Sequence, residues 1–451
     1  MNSTDLLPVV TEKQEFLCPL ENRTISRALH LSRMAAGHAQ CLICEFRDET
    51  GLLPRQVVER TRSKGRNVPN GIISPRGLRG LAINQLTRER ITELTVHVIQ
   101  LANRLRHERA QGSVHGGLKV VTGYDSRPSS PDLAIGMVTA LKRSGCDVID
   151  LGQVSRPIFD FGAACFRPDV GLFLTGGELP SSWNGMDIIG EDGLPWGWPG
   201  RLTELASTLT QPISRIARSS GHYEAVCVDS EYEQQLIQQL HALRPLRLAV
   251  VCPEPIQRRI LTRIMEQTPC SIHLLTGGGD HPEQATKQII DTLCQRRLDL
   301  GVVFGMDGRS CRIFDEGGHA LTLVESLNLL SSIDERLPPE TMNRNNELQS
   351  SSINGPHSPL REPWVIRVAD EEPIPETVSP ARLLSGTEAD LLLRQRQGEI
   401  PMAADSSFRF WFRDMIPECD ALQTLIRIIE VLSLSDRPVS SYRSESHRKR
   451  R

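Results

Sequence analysis

Thr175-Gly176-Gly177-Glu178-Leu179-Pro180-Ser181-Ser182-Trp183-Asn184-Gly185 follows directly on the apolar run Val170–Leu174. An apolar run that stops at a threonine and two glycines reads as a buried strand opening into a tight loop. Outward from there the rhythm recurs. From about Gly117, short apolar runs alternate with amphipathic segments, the pattern of α/β layering. Residues 118–122 and 147–151 predict strands, and 131–144 and 157–166 helices, the first with Pro131 in its opening turn. A second unit repeats this, with helices at 231–243, 256–266 and 282–297 and strands at 246–251, 271–275 and 300–304. Those strands are largely apolar on both faces, as a buried parallel or mixed sheet requires. A third unit resumes at 364–368 and ends in a strongly periodic helix at 421–434.

At 451 residues the chain is too long for one core and predicts about three domains. Hydrophobic residues make up 39% and charged residues 24%, ordinary for a globular protein, and the net charge of −3 gives no general pull toward nucleic acid or membrane. No apolar run is long enough to span a bilayer, and the opening Met1-Asn2-Ser3-Thr4-Asp5 lacks the basic start of a signal peptide, so the expected location is the cytoplasm. Eleven cysteines are scattered along the chain; Cys146, Cys165 and Cys252 lie in apolar segments as reduced core thiols would, and no disulfide framework is expected. The stretch 331–362, rich in Pro, Asn, Ser and charge, has too few large apolar side chains to offset the entropy of ordering and reads as a linker or mobile insertion.

Four motifs carry a resemblance to a known family. The stretch at Thr175 resembles the active-site loop TASHNPxxYNGxK of the α-D-phosphohexomutases, the phosphomannomutases and phosphoglucomutases; Thr175, Pro180, Asn184 and Gly185 fall on its positions and Trp183 replaces its tyrosine. Ile73-Ser74-Pro75-Arg76-Gly77-Leu78-Arg79-Gly80 is similar to FGTxGxRG, and Gly123-Tyr124-Asp125-Ser126-Arg127-Pro128-Ser129-Ser130 to GRDTRPSS. Phe304-Gly305-Met306-Asp307-Gly308-Arg309-Ser310, followed by Phe314-Asp315-Glu316, looks like FDGDADR with its downstream VDE. The resemblance covers roughly 70–440 and implies three tandem α/β domains with mixed sheets flanked by helices. Their expected bounds are 70–215, 216–320 and 321–440, after an N-terminal cysteine-containing extension at 1–69 and before a basic tail at 441–451. Only eleven residues follow Ser440, so no fourth domain, the family's grip on a distal phosphate, is expected here.

The family's chemistry, as the resemblance implies, passes a phosphoryl group between an active-site serine and a hexose phosphate. It needs a nucleophile, a divalent cation and grips for sugar and phosphate. The serine's position holds Gly177, which has no side-chain oxygen to form a phosphoenzyme. Ser181 and Ser182 lie four and five residues on, up to roughly 14–18 Å of extended chain away. The family's histidine and lysine positions hold Glu178 and Asp187, read as solvated loop residues whose charge opposes an anionic substrate. Three metal-binding aspartates become Gly305, Asp307 and Arg309, leaving Asp307 as a vestigial magnesium ligand and making Mg²⁺ improbable. Arg309 either pairs with Asp307 or points to water.

The family's sugar loop, GExSGH, is matched by the segment 403–414, with Asp405 and Ser407 at its glutamate and serine; they either retain hydroxyl recognition or are turn residues. Arg79 and Arg127 either bind an anion or hold the first domain's loops together. Ser385-Gly386-Thr387-Glu388 imitates the family's distal phosphate loop but precedes the sugar loop, so it is read as a helix start capped by Ser385 or Thr387. In the extension, Cys18, His38, Cys41 and Cys44 have spacing that would permit zinc, with unliganded thiols as the alternative. The tail His447-Arg448-Lys449-Arg450-Arg451 is a solvated basic run, and no nucleic-acid or membrane partner is expected. The reading that emerges is a catalytically inactive phosphohexomutase relative acting as a sugar-phosphate-binding or protein-interaction module, with a hexose phosphate or a protein as partner. The alternatives are an active mutase with a relocated nucleophile and a zinc-dependent interaction protein.

Overall fold

The computed structural model describes residues 15–18, 23–36, 71–110, 116–209, 211, 220–240, 242–275, 277, 282–332, 364–367, 382–413 and 419–443. The expected insertion beyond 332 and the tail beyond 443 therefore lie outside the described residues. The chain divides into two units, meeting between Ser74 and Pro75. In the first, β1 (Glu15–Cys18) and β2 (Arg23–Ser26) form an antiparallel hairpin that leads into α1 (Arg27–Ala36), with β3 (Ile73–Ser74) at its end. His38, Cys41 and Cys44 fall outside the described residues, and of Cys18 only the backbone in β1 is described.

The second unit is built on one topological pattern used three times. After β4 (Gly77–Leu81) and the long α2 (Arg88–Ala110), strands β5 (Lys119–Tyr124), β6 (Asp147–Gln153), β7 (Val170–Leu174) and β8 (Trp183–Gly190) lie in the order β6–β5–β7–β8. The first three are parallel and β8 returns antiparallel to β7. Helices α3 (Ser130–Arg143) and α4 (Arg156–Phe166) make the crossovers; α5 (Arg201–Thr208), β9 (Tyr223–Ala225) and α6 (Asp229–Ile237) follow.

The next four strands, β10 (Arg247–Val251), β11 (Ser271–Leu275), β12 (Leu300–Phe304) and β13 (Cys311–Phe314), repeat that order, β11–β10–β12–β13, again with only the last antiparallel. Their crossover helices are α7 (Pro255–Met265) and α8 (Pro282–Arg296), and α9 (Leu323–Ser331) follows β13. A third set, β14 (Trp364–Arg367), β15 (Arg382–Ser385), β16 (Met402–Asp405) and β17 (Phe410–Phe412), runs β15–β14–β16–β17 with the same directions, and α10 (Glu388–Arg396) links β15 to β16.

Local chemistry explains the element starts. Glu254 caps α7 by accepting the Gln257 N–H at 2.6 Å, with Pro255 at the first helical position, where its missing N–H costs nothing. Thr322 and Glu325 form a capping box on α9. Asp420 caps α11 (Ala421–Ser433), ten of whose thirteen residues are buried, so this helix is a core element rather than a surface one. The helix expected at 231–243 is shorter, ending at Ile237.

The consequence for function is positional. The hairpin between the third and fourth strands is the same place in each repeat. In the first it carries Gly177, in the second Asp307 and Arg309, in the third Ser407 and Arg409. The second and third hairpins touch through their backbones, Ser310 bridging Arg409 and the Cys311 N–H donating to the Phe408 carbonyl at 2.9 Å.

Candidate functional site

The first hairpin is held by one side chain. Arg127, 7% exposed, donates through Nη2 to the carbonyls of Gly177 (2.6 Å) and Leu179 (2.8 Å), through Nη1 to those of Pro180 (2.7 Å) and Trp183 (3.0 Å), and through Nε to Asp125 (3.0 Å). A guanidinium has five N–H groups, and each has its acceptor. Of the two readings of Arg127, the loop-holding one matches this geometry; no donor is left over for an anion. Asn184 adds a second tie by donating to the hydroxyls of Ser129 and Ser130, and the Thr175 hydroxyl accepts the Gly177 N–H at 2.9 Å.

Gly177 has φ +60, a left-handed conformation that glycine adopts freely and an L-residue with a side chain does not. Beside it lies Arg79, whose Nη2 would be 3.4 Å from a Cβ at that position. Arg79 in turn pairs with Asp187, Asp187 with Arg156, and Arg156 with Asp160. Asp187, expected to be a solvated loop residue, is instead a 5%-exposed residue of β8 between two guanidinium groups. Arg156 and Asp160 carried a signal that sequence reading passed over: two opposite charges four residues apart in an otherwise apolar helix. Burial raises the Asp160 carboxyl and the neighbouring arginines pull it back, leaving it above the usual range.

The second hairpin does not fit a magnesium ion. Asp307 accepts the backbone N–H of Arg309 at 3.0 Å, and the Arg309 side chain turns away from it to pair with Glu388. Both expected fates of Arg309, a bridge to Asp307 or exposure to water, are overturned: it is 4% exposed and its partner sits on α10. A Cβ at 305 would lie 2.2 Å from the Ser310 hydroxyl oxygen, so a carboxylate there would require that side chain to turn away. Divalent magnesium needs several converging oxygen ligands, and the single carboxylate of this hairpin does not supply them. Among the described residues no group of three or more His, Cys, Asp or Glu converges as a metal would need.

Thr387 is the N-cap of α10, in a capping box with Asp390, which places Glu388 in the first turn facing inward. Burial works to raise the Glu388 carboxyl, and the charges of Arg309, Arg76 and Arg156 outweigh it, holding it below the usual carboxylate range. Arg76 reaches across to Asp405 at 3.0 Å, and Arg409 lies 3.1 Å from the same carboxylate. Asp405, with no exposed surface, also accepts the N–H groups of Ser407 and Arg409. Of the two readings of Asp405, the structural one matches this burial and these partners. Ser407 is a half-buried turn residue.

The space enclosed among Arg76, Arg156, Asp187, Arg309 and Glu388 is about 20 Å³. That is room for about one water, whereas small-molecule sites run to roughly 300–1,000 Å³. One group in this region remains open. Glu178 is solvent-exposed, yet the crowding of protein around it and then the charges of Asp307 and Asp405 push its carboxyl up, against a hydrogen bond from Ser310 and the charge of Arg76. The three equivalent hairpins therefore do converge, but on an interlocked set of ion pairs.

Comparison with known proteins agrees with the topology. Residues 73–202 match the family described as phosphoglucomutase/phosphomannomutase, alpha/beta/alpha domain I. Residues 73–202 thus carry a domain of that family. The phosphomannomutase/phosphoglucomutase of Pseudomonas aeruginosa is 27% identical over 203 residues, which is 42% of this chain and 42% of that protein. A probable phosphoglucosamine mutase of Methanothermobacter thermautotrophicus is 22% identical over 237 residues, 50% of this chain and 53% of that one. The chain thus spans about half the length of these phosphohexomutase relatives. A phosphoglucomutase/phosphomannomutase family protein from Burkholderia thailandensis has the same fold, with a TM-score of 0.63 at 18% identity, covering 82% of this chain and 78% of that one. A protein of Thermus thermophilus described as a phosphomannomutase gives 0.61 at 16% identity, covering 82% of each chain. Among the described residues no helix is long and apolar enough to cross a membrane.

Proposed function

We propose that this chain is a non-catalytic phosphohexomutase-family protein whose former active-site cleft has become a structural joint, and that it acts as an interaction module. The observation that carries the proposal is the occupant of the nucleophile position. Gly177 offers no oxygen, sits in a left-handed conformation, and is overlain by an arginine already paired with Asp187. A phosphoryl group there would lack a covalent anchor. It would also compete with a buried carboxylate for Arg79. The remaining family functions are supported no better: the magnesium loop holds Arg309 bound to Glu388, and Asp405 is bound to Arg76 and Arg409. Retention of a sugar phosphate in the cleft is disfavoured by the same pairs, which leaves interaction through other surfaces as the better supported role.

A mutase assay with glucose 1-phosphate or mannose 1-phosphate, magnesium and the matching 1,6-bisphosphate tests the proposal. The expected result is no turnover above a protein-free control. Turnover by pure protein that disappears when Ser181 or Ser182 is replaced by alanine would support a relocated nucleophile instead.

A further inference from the structure

On the other side of the segment 195–198 from the ion pairs lies a cavity of about 500 Å³, within the range of small-molecule sites. Its apolar lining comes from Trp196 and Trp198 with Leu194, Pro199 and Leu105. Trp196 is 4% exposed and fixed in the wall, while Trp198 is only half-buried and leaves indole surface for a ligand. The walls are tied in place. The Trp196 backbone N–H donates to the Ile188 carbonyl at 2.8 Å, the Trp198 backbone N–H to the Pro75 carbonyl at 2.9 Å, and Arg396 of α10 reaches the carbonyls of Asp192 and Gly193. Nothing in the cleft chemistry described above uses this cavity.

The charges of the rim bear on the class of ligand. Its arginines come already opposed by carboxylates: Arg109 by Glu191 at 2.8 Å and Asp192 at 3.6 Å, Arg106 by Asp169 at 3.7 Å, Arg201 by Glu204 at 2.7 Å. The two carboxylates in excess are engaged too. Asp192 accepts the Leu194 N–H, and Asp390 accepts the N–H and hydroxyl of Thr387. An anion meets more carboxylates than arginines here, and a cation shares those carboxylates with the arginines and N–H groups already on them. A neutral ligand with neighbouring hydroxyls faces neither constraint. Each hydroxyl both donates and accepts, so adjacent ones can answer an arginine and its carboxylate together, while C–H faces lie on indole.

We propose that this cavity binds a neutral, hydroxyl-rich ligand, a mono- or disaccharide without a phosphate. Calorimetric titration of the full chain with a panel of neutral mono- and disaccharides, glucose 6-phosphate and a short arginine peptide tests it. At least one neutral sugar is expected to bind saturably at one site, with the phosphorylated sugar and the peptide at least tenfold weaker. Trp198→Ala and, independently, the exposed Glu191→Ala should each weaken that binding tenfold or more, while Glu178→Gln in the cleft leaves it unchanged. Circular dichroism confirms that each variant is folded. The proposal is overturned if no neutral sugar of the panel binds, if both cavity variants bind as the parent does, or if the peptide or the phosphorylated sugar binds more tightly.

Discussion

Arg309 is paired with Glu388 in the interior, and that pair joins a loop of the second repeat to the first turn of α10 in the third. Neither residue has much solvent, at 4% and 8% exposed, so the pair compensates part of the hydration that both have lost. Removing one partner of such a pair strands a buried charge, at a cost of roughly 3–5 kcal/mol, whereas replacing both with apolar groups is often neutral. Arg309→Met and Glu388→Leu should therefore each lower stability by about that much, and the double variant should recover most of the loss. Denaturant unfolding of the four proteins checks this; additive losses would mean that the pair is not a joint.

Restoring the missing serine should not restore chemistry. Gly177→Ser forces an L-residue into a left-handed conformation, costing roughly 1–2 kcal/mol, and places its side chain against Arg79. Magnesium ligands remain absent in that variant. The expected outcome is a lower unfolding midpoint and no turnover in the coupled mutase assay. A gain of activity would show that the glycine was the single lesion.

Glu178 offers a spectroscopic check on the convergence of the three hairpins. Its carboxyl, pushed up to about 8 by the crowding around it and by Asp307 and Asp405, should titrate well above an ordinary glutamate in carbon-detected NMR. Asp307→Asn removes one of the repelling charges, so the midpoint should fall. An ordinary value in both proteins would place the hairpins farther apart than described.

The pH dependence of stability has a definite sign at Asp420. Burial pushes this carboxyl up to about 6, against hydrogen bonds from the Tyr232 hydroxyl at 2.6 Å and from the Leu422 and Gln423 N–H groups. The unfolded chain titrates near 3.9, so between about pH 4 and 6 the folded state binds more protons, and stability falls as pH rises through that window. Asp420→Asn keeps a side chain able to cap α11 and removes the charge. Its unfolding midpoint should decline less between pH 4 and 6 than that of the parent.

Much of the architecture was legible because it rests on local signals. The runs at 170–174 and 300–304 are apolar on both faces, and these and the largely apolar run at 271–275 are sheet strands with the predicted bounds. Loop residues such as Gly177 and Asp307 were legible as departures from a motif. What sequence could not give was the partner of each charge, because pairs such as Arg76 with Asp405 span 329 positions and are set by tertiary packing alone. Asp187 and Arg309 were therefore assigned to solvent or to a near neighbour, when burial had joined them to residues far along the chain. Arg127 is the intermediate case, since its motif marked it as special without saying that four of its five acceptors are backbone carbonyls of one loop.

The most direct test of the account is the intact mass of the pure protein after incubation with glucose 1,6-bisphosphate and magnesium. With no oxygen at 177 the account predicts an unchanged mass. A stable gain of one phosphoryl group, mapped by peptide sequencing to a hydroxyl within 175–185, would contradict it.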